Sequence, residues 1–199
     1  MSRPFAVYPD SFDGDTLGWW RFGERGGLLT DVVAGKVLTN FGAEPLDDGY
    51  RFVRANTDRM EAAFAGQPQR SELTLECWVP GWWQAVPALN WSYRQIARFY
   101  IDADNSIGVS TLRRDPATQS RILASLKVGG VEVGRLLWQG VVVDALLTSE
   151  DPWHVAVVLD SPNSLRLFVN GEMKKQDLVG IADLLEGNYT LSSRCIFSR

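Results

Sequence analysis

A chain of 199 residues, 45% hydrophobic and 22% charged, is long enough to bury a sizeable core and too apolar to be a disordered segment. Its formal charge of −4 gives no pull towards phosphate backbones, and the isolated pairs Arg113-Arg114 and Lys174-Lys175 read as solvated loop or strand ends, not as a nucleic-acid patch. One histidine and two cysteines exclude a four-ligand zinc site, and no stretch approaches the ~20 apolar residues of a membrane span.

In chain order, the pattern is one of brief extended runs. Leu17 to Phe22 reads as an aromatic-rich strand, and Val32-Val33 and Lys36 to Phe41 bracket a turn at Ala34-Gly35. Gly49 to Arg54 alternates, with Tyr50, Phe52 and Arg54 on one side and Arg51 and Val53 on the other; Met60 to Phe64 is short. In Ser71 to Val79, Leu73, Leu75, Cys77 and Val79 oppose Thr74, Glu76 and Trp78. Gln95 to Asp102 sets Ile96, Arg98 and Tyr100 against Ala97, Phe99 and Ile101, and Ser106 to Leu112 follows across a hairpin-type turn at Asp104-Asn105. Arg121 to Val128 and Val131 to Trp138 flank Gly129-Gly130. Trp153 to Leu159 and Leu165 to Asn170 flank Asp160-Ser161-Pro162-Asn163-Ser164, and Tyr189 to Phe197 comes last. Helical periodicity is nearly absent, with one turn at Asp183 to Glu186 as the best candidate. Without crossover helices the strands must pair antiparallel, and no gap is long enough for a linker. The prediction is a single all-β domain over residues 1–199, an antiparallel two-sheet sandwich.

Four segments carry a family likeness: Leu17-Gly18-Trp19-Trp20-Arg21-Phe22-Gly23-Glu24 with Asp31; Asp48-Gly49-Tyr50-Arg51-Phe52; Leu73 to Pro80; and Trp153-His154-Val155-Ala156-Val157-Val158-Leu159-Asp160 followed by Leu165 to Glu172. In the last, Val155, Val157 and Leu159 face one way, Leu165, Leu167 and Val169 return opposite them, and Asn170-Gly171 supplies the positive φ of a type I′ turn. In that order they resemble the laminin-G-like branch of the concanavalin A-like superfamily. The resemblance implies a jelly-roll sandwich with His154 in a structural place at a strand start. It also implies a closing strand beside the N-terminal one. Here the usual closing motif is missing, so either Tyr189 to Phe197 fills that slot or the slot is empty. An empty slot would leave an edge that a neighbouring chain completes.

Related folds often hold one Ca²⁺ with Asp, Asn and backbone oxygens. The candidates are Asp31, Asp102, Asp104 and Asn105, residues that hairpin turns also prefer. The resemblance places Asp31 where it more often caps a turn. Glycosidases of the superfamily need two carboxylates facing each other, written on a strand as Glu-x-Asp-x-Glu; that triplet is absent, and Glu76 is the one strand carboxylate of note. No Gly-x-Ser-x-Gly accompanies His154. Cys77 reads as a buried free thiol, with a bond to Cys195 as the alternative. Exposed aromatics are the remaining resource. Trp82, Trp83, Trp91 and Tyr93, in a Pro-punctuated stretch, are the candidate ligand-binding residues, able to stack on a sugar ring or anchor a protein.

These features define a non-catalytic binding or assembly domain. The first expectation is a structural subunit of a phage-type particle (decoration, tail or fibre), meeting neighbouring chains and glycans. The ground is the absence of an apolar signal region in Met1 to Ala6, which leaves the virion, another particle outside the cell, or the cytoplasm as the expected location. The alternative is a stand-alone carbohydrate-binding module, and a glycan-active enzyme ranks third. No cofactor is expected beyond the calcium just named.

Overall fold

A computed structural model of the chain describes residues 17, 35–46, 49–51, 58–79, 81, 92–113, 119–160, 164–178 and 184–193. The strands are β1 (Thr39–Phe41), β2 (Glu44–Leu46), β3 (Gly49–Arg51), β4 (Arg59–Gln67), β5 (Glu72–Val79), β6 (Ser92–Tyr100) and β7 (Ser106–Arg113). After them come β8 (Arg121–Val128), β9 (Val131–Gln139), β10 (Trp153–Asp160), β11 (Ser164–Val169), β12 (Glu172–Leu178) and β13 (Gly187–Ser193). One helix, α1 (Val141–Thr148), separates β9 from β10. A seven-stranded sheet runs β1-β4-β13-β6-β7-β8-β9, a four-stranded sheet runs β12-β11-β10-β5, and β2 and β3 pair separately. The strand pairings are antiparallel, as the missing crossovers require.

Alternation explains which side of each strand is dry. On the four-stranded sheet Leu75 and Val79 of β5 lie in register with Val157 and Trp153 of β10, and Val155, Val157 and Leu159 sit opposite Val169, Leu167 and Leu165 of β11; all are buried. The seven-stranded sheet answers with Met60, Ala62, Phe64, Phe99, Ile107, Val109, Ile122, Ala124, Leu126 and Leu136 in one continuous cluster with them. Three rings tie its centre. Phe99 stacks on Tyr189 with centroids 4.4 Å apart and meets Phe64 edge-on at 5.5 Å. The Tyr189 hydroxyl, carried into the core, donates to the Leu185 carbonyl at 2.6 Å. Cys77 is a free, half-buried thiol packed against this core.

The β11–β12 connection turns at Asn170 (φ 52°) and Gly171 (φ 78°). Two positive φ values in succession are what a type I′ hairpin demands, so the Asn-Gly reading of the sequence holds. The strand it leads into, β12, carries Lys174, Lys175 and Asp177 and has no apolar alternation to announce it. Being an edge, it suits charge: lysines there discourage pairing with a foreign strand.

β13, part of the Tyr189 to Phe197 run, lies between β4 and β6 and is hydrogen-bonded on both sides, while the N-terminal strand beside which the closing slot was expected lies outside the described residues. β13 itself offers no open edge to a neighbouring chain. The helical turn at Asp183 to Glu186 is not formed at Leu184, which bridges to Arg70 as an isolated β pair. The helix is instead α1, in a run of β-branched residues that disfavour helix. Tertiary packing overrides that propensity: Val143 and Leu147, one turn apart, are fully buried, and Asp144 between them is held from outside the helix. The expected strand at Leu17 to Phe22 and the segment 31–34 lie outside the described residues, Leu17 excepted.

Candidate functional site

The two outward faces carry whatever side chains the core does not claim. On the seven-stranded sheet, register places one row across six strands: Glu61, Ser192, Arg98, Gly108, Ser125 and Arg135. The adjacent row holds Ala63, Thr190, Tyr100, Ser106 and Lys127. A register shift in β6 between Gln95 and Ala97 lets both Ile96 and Ala97 be buried and reverses the strand's parity. Tyr93, before the shift, and Arg98 and Tyr100, after it, consequently share this face.

The floor is made of small residues. Ser192, Ser110 and Ser106 are only 4–6% exposed although they point away from the core. Gly108 belongs to the same floor, and a Cβ there would come within 3.1 Å of the Ala97 carbonyl oxygen and 3.3 Å of Arg98 Cγ. Taller polar groups stand along one side. Glu61 Oε1 accepts from Arg59 Nε at 2.7 Å and from the Tyr100 hydroxyl at 3.2 Å. The Arg59 guanidinium lies 4.4 Å over the Phe41 ring, and the Arg98 guanidinium 5.2 Å from the Tyr100 ring. Arg98 is braced by the Ser106 hydroxyl at 3.0 Å and by the Asp102 and Ala103 carbonyls at 3.4 Å. Burial pushes the Tyr100 phenol above its ordinary value, and the Glu61 charge and hydrogen bond add to the effect. Phe41, Arg59, Glu61, Tyr100 and Arg98 thus form one pre-positioned array of rings, donors and a carboxylate beside a low floor.

Chemically the array can bind and orient a polar ligand. On the interior strands of this face, Glu61 is the one carboxylate among the described residues, whereas glycoside hydrolysis with retention or inversion takes two across the scissile bond. Glu76 projects from the other sheet. There His154 Nε2 lies 3.4 Å from Glu76 Oε2, and the His154 ring lies 5.3 Å from that of Trp78. The hydrogen bond from His154 holds the Glu76 carboxyl below its usual range, against the opposing effect of burial.

Of the residues singled out in the sequence, Tyr93 is half-exposed on the outer face of β6, while Trp82, Trp83 and Trp91 lie outside the described residues. Asp31 also lies outside them. Asp102, Asp104 and Asn105 are together in the β6–β7 connection. Asp102 Oδ1 accepts the backbone N–H groups of Asp104 and Asn105, both at 2.8 Å, and the Asn105 side-chain amide at 3.0 Å. The carboxylate is therefore engaged in closing the turn, and those backbone bonds keep it below its ordinary pKa. Among the described residues no group of three or more His, Cys, Asp or Glu is placed to hold a metal ion. Glu61, Arg59 and Arg98 were not singled out in the sequence. Their strand alternation was visible, but the pairing that sets Glu61 two strands from Arg98 was not.

No protein-family model matches the chain, and none of the curated proteins does. Solved structures do. The binding domain of botulinum neurotoxin serotype G superposes with a TM-score of 0.56 at 14% identity, over 89% of this chain and 47% of that one. The binding domain of botulinum neurotoxin DC, solved in complex with rat synaptotagmin II, gives 0.55 at 11% identity, over 90% and 48%. A Bacillus licheniformis β-glucanase overlaps 98% of this chain and 83% of its own at 14% identity, but with a TM-score of 0.42. The chain spans about half the length of the neurotoxin domains it matches. At these identities the likeness is one of fold: the chain is a concanavalin A-like jelly-roll sandwich.

Proposed function

We propose that the chain is a non-catalytic binding module that recognises a glycan on the outer face of its seven-stranded sheet. The observation that carries this reading is the array of Arg59, Glu61, Arg98 and Tyr100 beside the small-residue floor. A sugar presents hydroxyls that both donate and accept, and an apolar ring face. The array offers a carboxylate to accept, two guanidiniums to donate and a tyrosine ring, already fixed by their mutual bonds so that little side-chain freedom is lost on binding. The neurotoxin neighbours are binding domains by description, which agrees with a lectin-like use of the fold. The setting we propose is a phage-type particle, where a decoration, tail or fibre subunit would turn this face towards a host surface. Since β13 is paired on both sides, neighbouring subunits would not add to the sheet at that strand.

Glycan-array binding is the test. Binding by the native chain, lost in Tyr100→Ala and Arg98→Ala proteins that melt as cooperatively as the parent, supports the reading. A chain that binds no glycan, or binds equally well in both variants, removes it. Release of new reducing ends from a bound polysaccharide, abolished by Glu61→Gln, would replace it with an enzyme. A chain that stays monomeric by size-exclusion chromatography, alone and mixed with particle proteins, loses the particle setting only.

A further inference from the structure

A cavity lies away from that face, between α1 and the β11–β12 hairpin. It is an open cleft of about 300 Å³. Its apolar side is Trp138 of β9, Val142 and Leu146 of α1 and Val169 of β11; its rim is Ser149, Asn170, Glu172 and Lys174. Trp138 belongs to the seven-stranded sheet and Lys174 to the four-stranded one, and the Lys174 ammonium lies 5.2 Å from the Trp138 ring, so the cleft joins the two layers. Val142, at the cleft wall, is 69% exposed, an unusual position for a valine on a helix otherwise fixed by its buried side.

The rim groups are held from behind and keep free hydrogen-bonding capacity. Asn170 Oδ1 accepts the His154 N–H at 2.8 Å, which fixes the side chain and leaves its amide N–H groups to donate. Ser149 Oγ accepts the Asp151 N–H at 3.1 Å and keeps its own O–H. Lys174 donates to Glu172, so the one cation and the one carboxylate of the rim are already paired. That pairing decides the ligand class. An anion arriving at Lys174 would face the Glu172 carboxylate, and a cation arriving at Glu172 would face the Lys174 ammonium. A purely apolar group would strip water from four polar side chains without replacing it. A neutral ring with hydroxyls on its rim and carbon–hydrogen faces between them meets the donors, the acceptor and the apolar wall together.

We propose that the α1–β12 cleft is a second glycan subsite that takes one neutral sugar residue, independent of the sheet face. The proposal rests on the glycan-binding reading for its ligand class and on the cleft's own chemistry for its place. With two separated subsites on one module, a multivalent glycan surface would be held more tightly than either site holds a single sugar.

The ¹⁵N-labelled full chain is titrated with the methyl glycosides of glucose, galactose, mannose and N-acetylglucosamine, and nuclear magnetic resonance follows the Trp138 indole N–H and the Asn170 side-chain amide. Saturable shifts of these two signals with at least one glycoside are expected. Ala145→Trp, which fills the cleft from an exposed helical position, should weaken that response at least tenfold, while Tyr100→Ala leaves it intact. Lys174→Gln, on the exposed edge, gives the same answer if the first variant fails to fold. Signals that stay fixed with all four glycosides, or move alike in the blocked variants, overturn the proposal. Shifts at Trp138 and Asn170 with none around Tyr100 and Arg98 would instead sink the sheet-face reading and leave the cleft standing.

Discussion

The two sheets are built by the same alternation and differ in what they show to solvent. Outside the seven-stranded sheet lie serines, a glycine, two tyrosines and charged groups bonded to one another. Outside the four-stranded sheet, register aligns Glu76, Ala156, Phe168 and Met173 in one row, with Trp78 and His154 beside it; Trp78 and Met173 are about half exposed, at 47% and 53%. One face gathers its polar groups beside a low floor, with Leu112, Leu123 and Leu137 further along it, and the other sets Trp78, Phe168 and Met173 among Glu76, His154 and the Arg166–Asp160 pair. The core-facing sides are alike, so the difference was not needed to fold the chain. Inward residues are chosen by packing, and outward residues record what each face meets.

The comparison can be broken from the inside first. Phe99 holds Phe64 and Tyr189 in the shared core, so Phe99→Ala should cost about 3 to 4 kcal/mol and loosen both faces together, measured by urea unfolding. Loss of one face's cooperativity alone would show that the sheets do not act as one unit.

Next in size is the helix α1, whose one carboxylate is tied to the seven-stranded sheet. Asp144 of α1 accepts Arg113 Nε at 2.9 Å and the Ser120 hydroxyl at 2.6 Å, both groups belonging to the seven-stranded side. Burial raises the Asp144 carboxyl, yet the hydrogen bonds from Arg113 and Ser120 and the Arg113 charge outweigh it and hold the pKa below the ordinary 3.8. A depressed native value stabilises the fold above the unfolded pKa and loses that contribution as pH falls through the native one. Asp144→Ala should therefore cost about 2 kcal/mol at neutral pH, and the gap in melting temperature from the parent should close on acidification below the ordinary carboxylate range. A gap that widens in acid would refute the assignment.

Filling the low floor sharpens the contrast. Gly108→Leu, which must displace Arg98, should weaken glycan binding about tenfold, near 1.4 kcal/mol. Trp78→Ser on the opposite face should leave glycan affinity unchanged, shift stability by about 0.5 kcal/mol or less, and raise solubility, read by light scattering. Equal losses from both substitutions would mean that neither face is specialised.

Strands with an apolar alternate were legible from the sequence, as in β5, β8 and β10, because burial demands period two whatever the neighbours are. β12 was not, since an edge strand needs charge more than apolar rhythm. α1 was not, since Val141-Val142-Val143 favours strand, and the burial of Val143 and Leu147 and the distant partners Arg113 and Ser120 favour the helix. The site was legible residue by residue at most. Arg98 and Tyr100 could be placed on one side of a strand by alternation, but Glu61 comes into their row only because residues 187–193 lie between, and no local pattern encodes that register.

That inserted segment has a consequence for how the molecule is made. β4 and β6 each use one hydrogen-bonding side on residues 187–193, which follow every other described strand in the chain. While the protein is being synthesised, the seven-stranded sheet therefore lacks the strand that joins its two parts, and both lips of the gap stay open until residues 187–193 have emerged. Translation stalled before residue 187 would leave β4 and β6 each with an unpaired edge facing solvent.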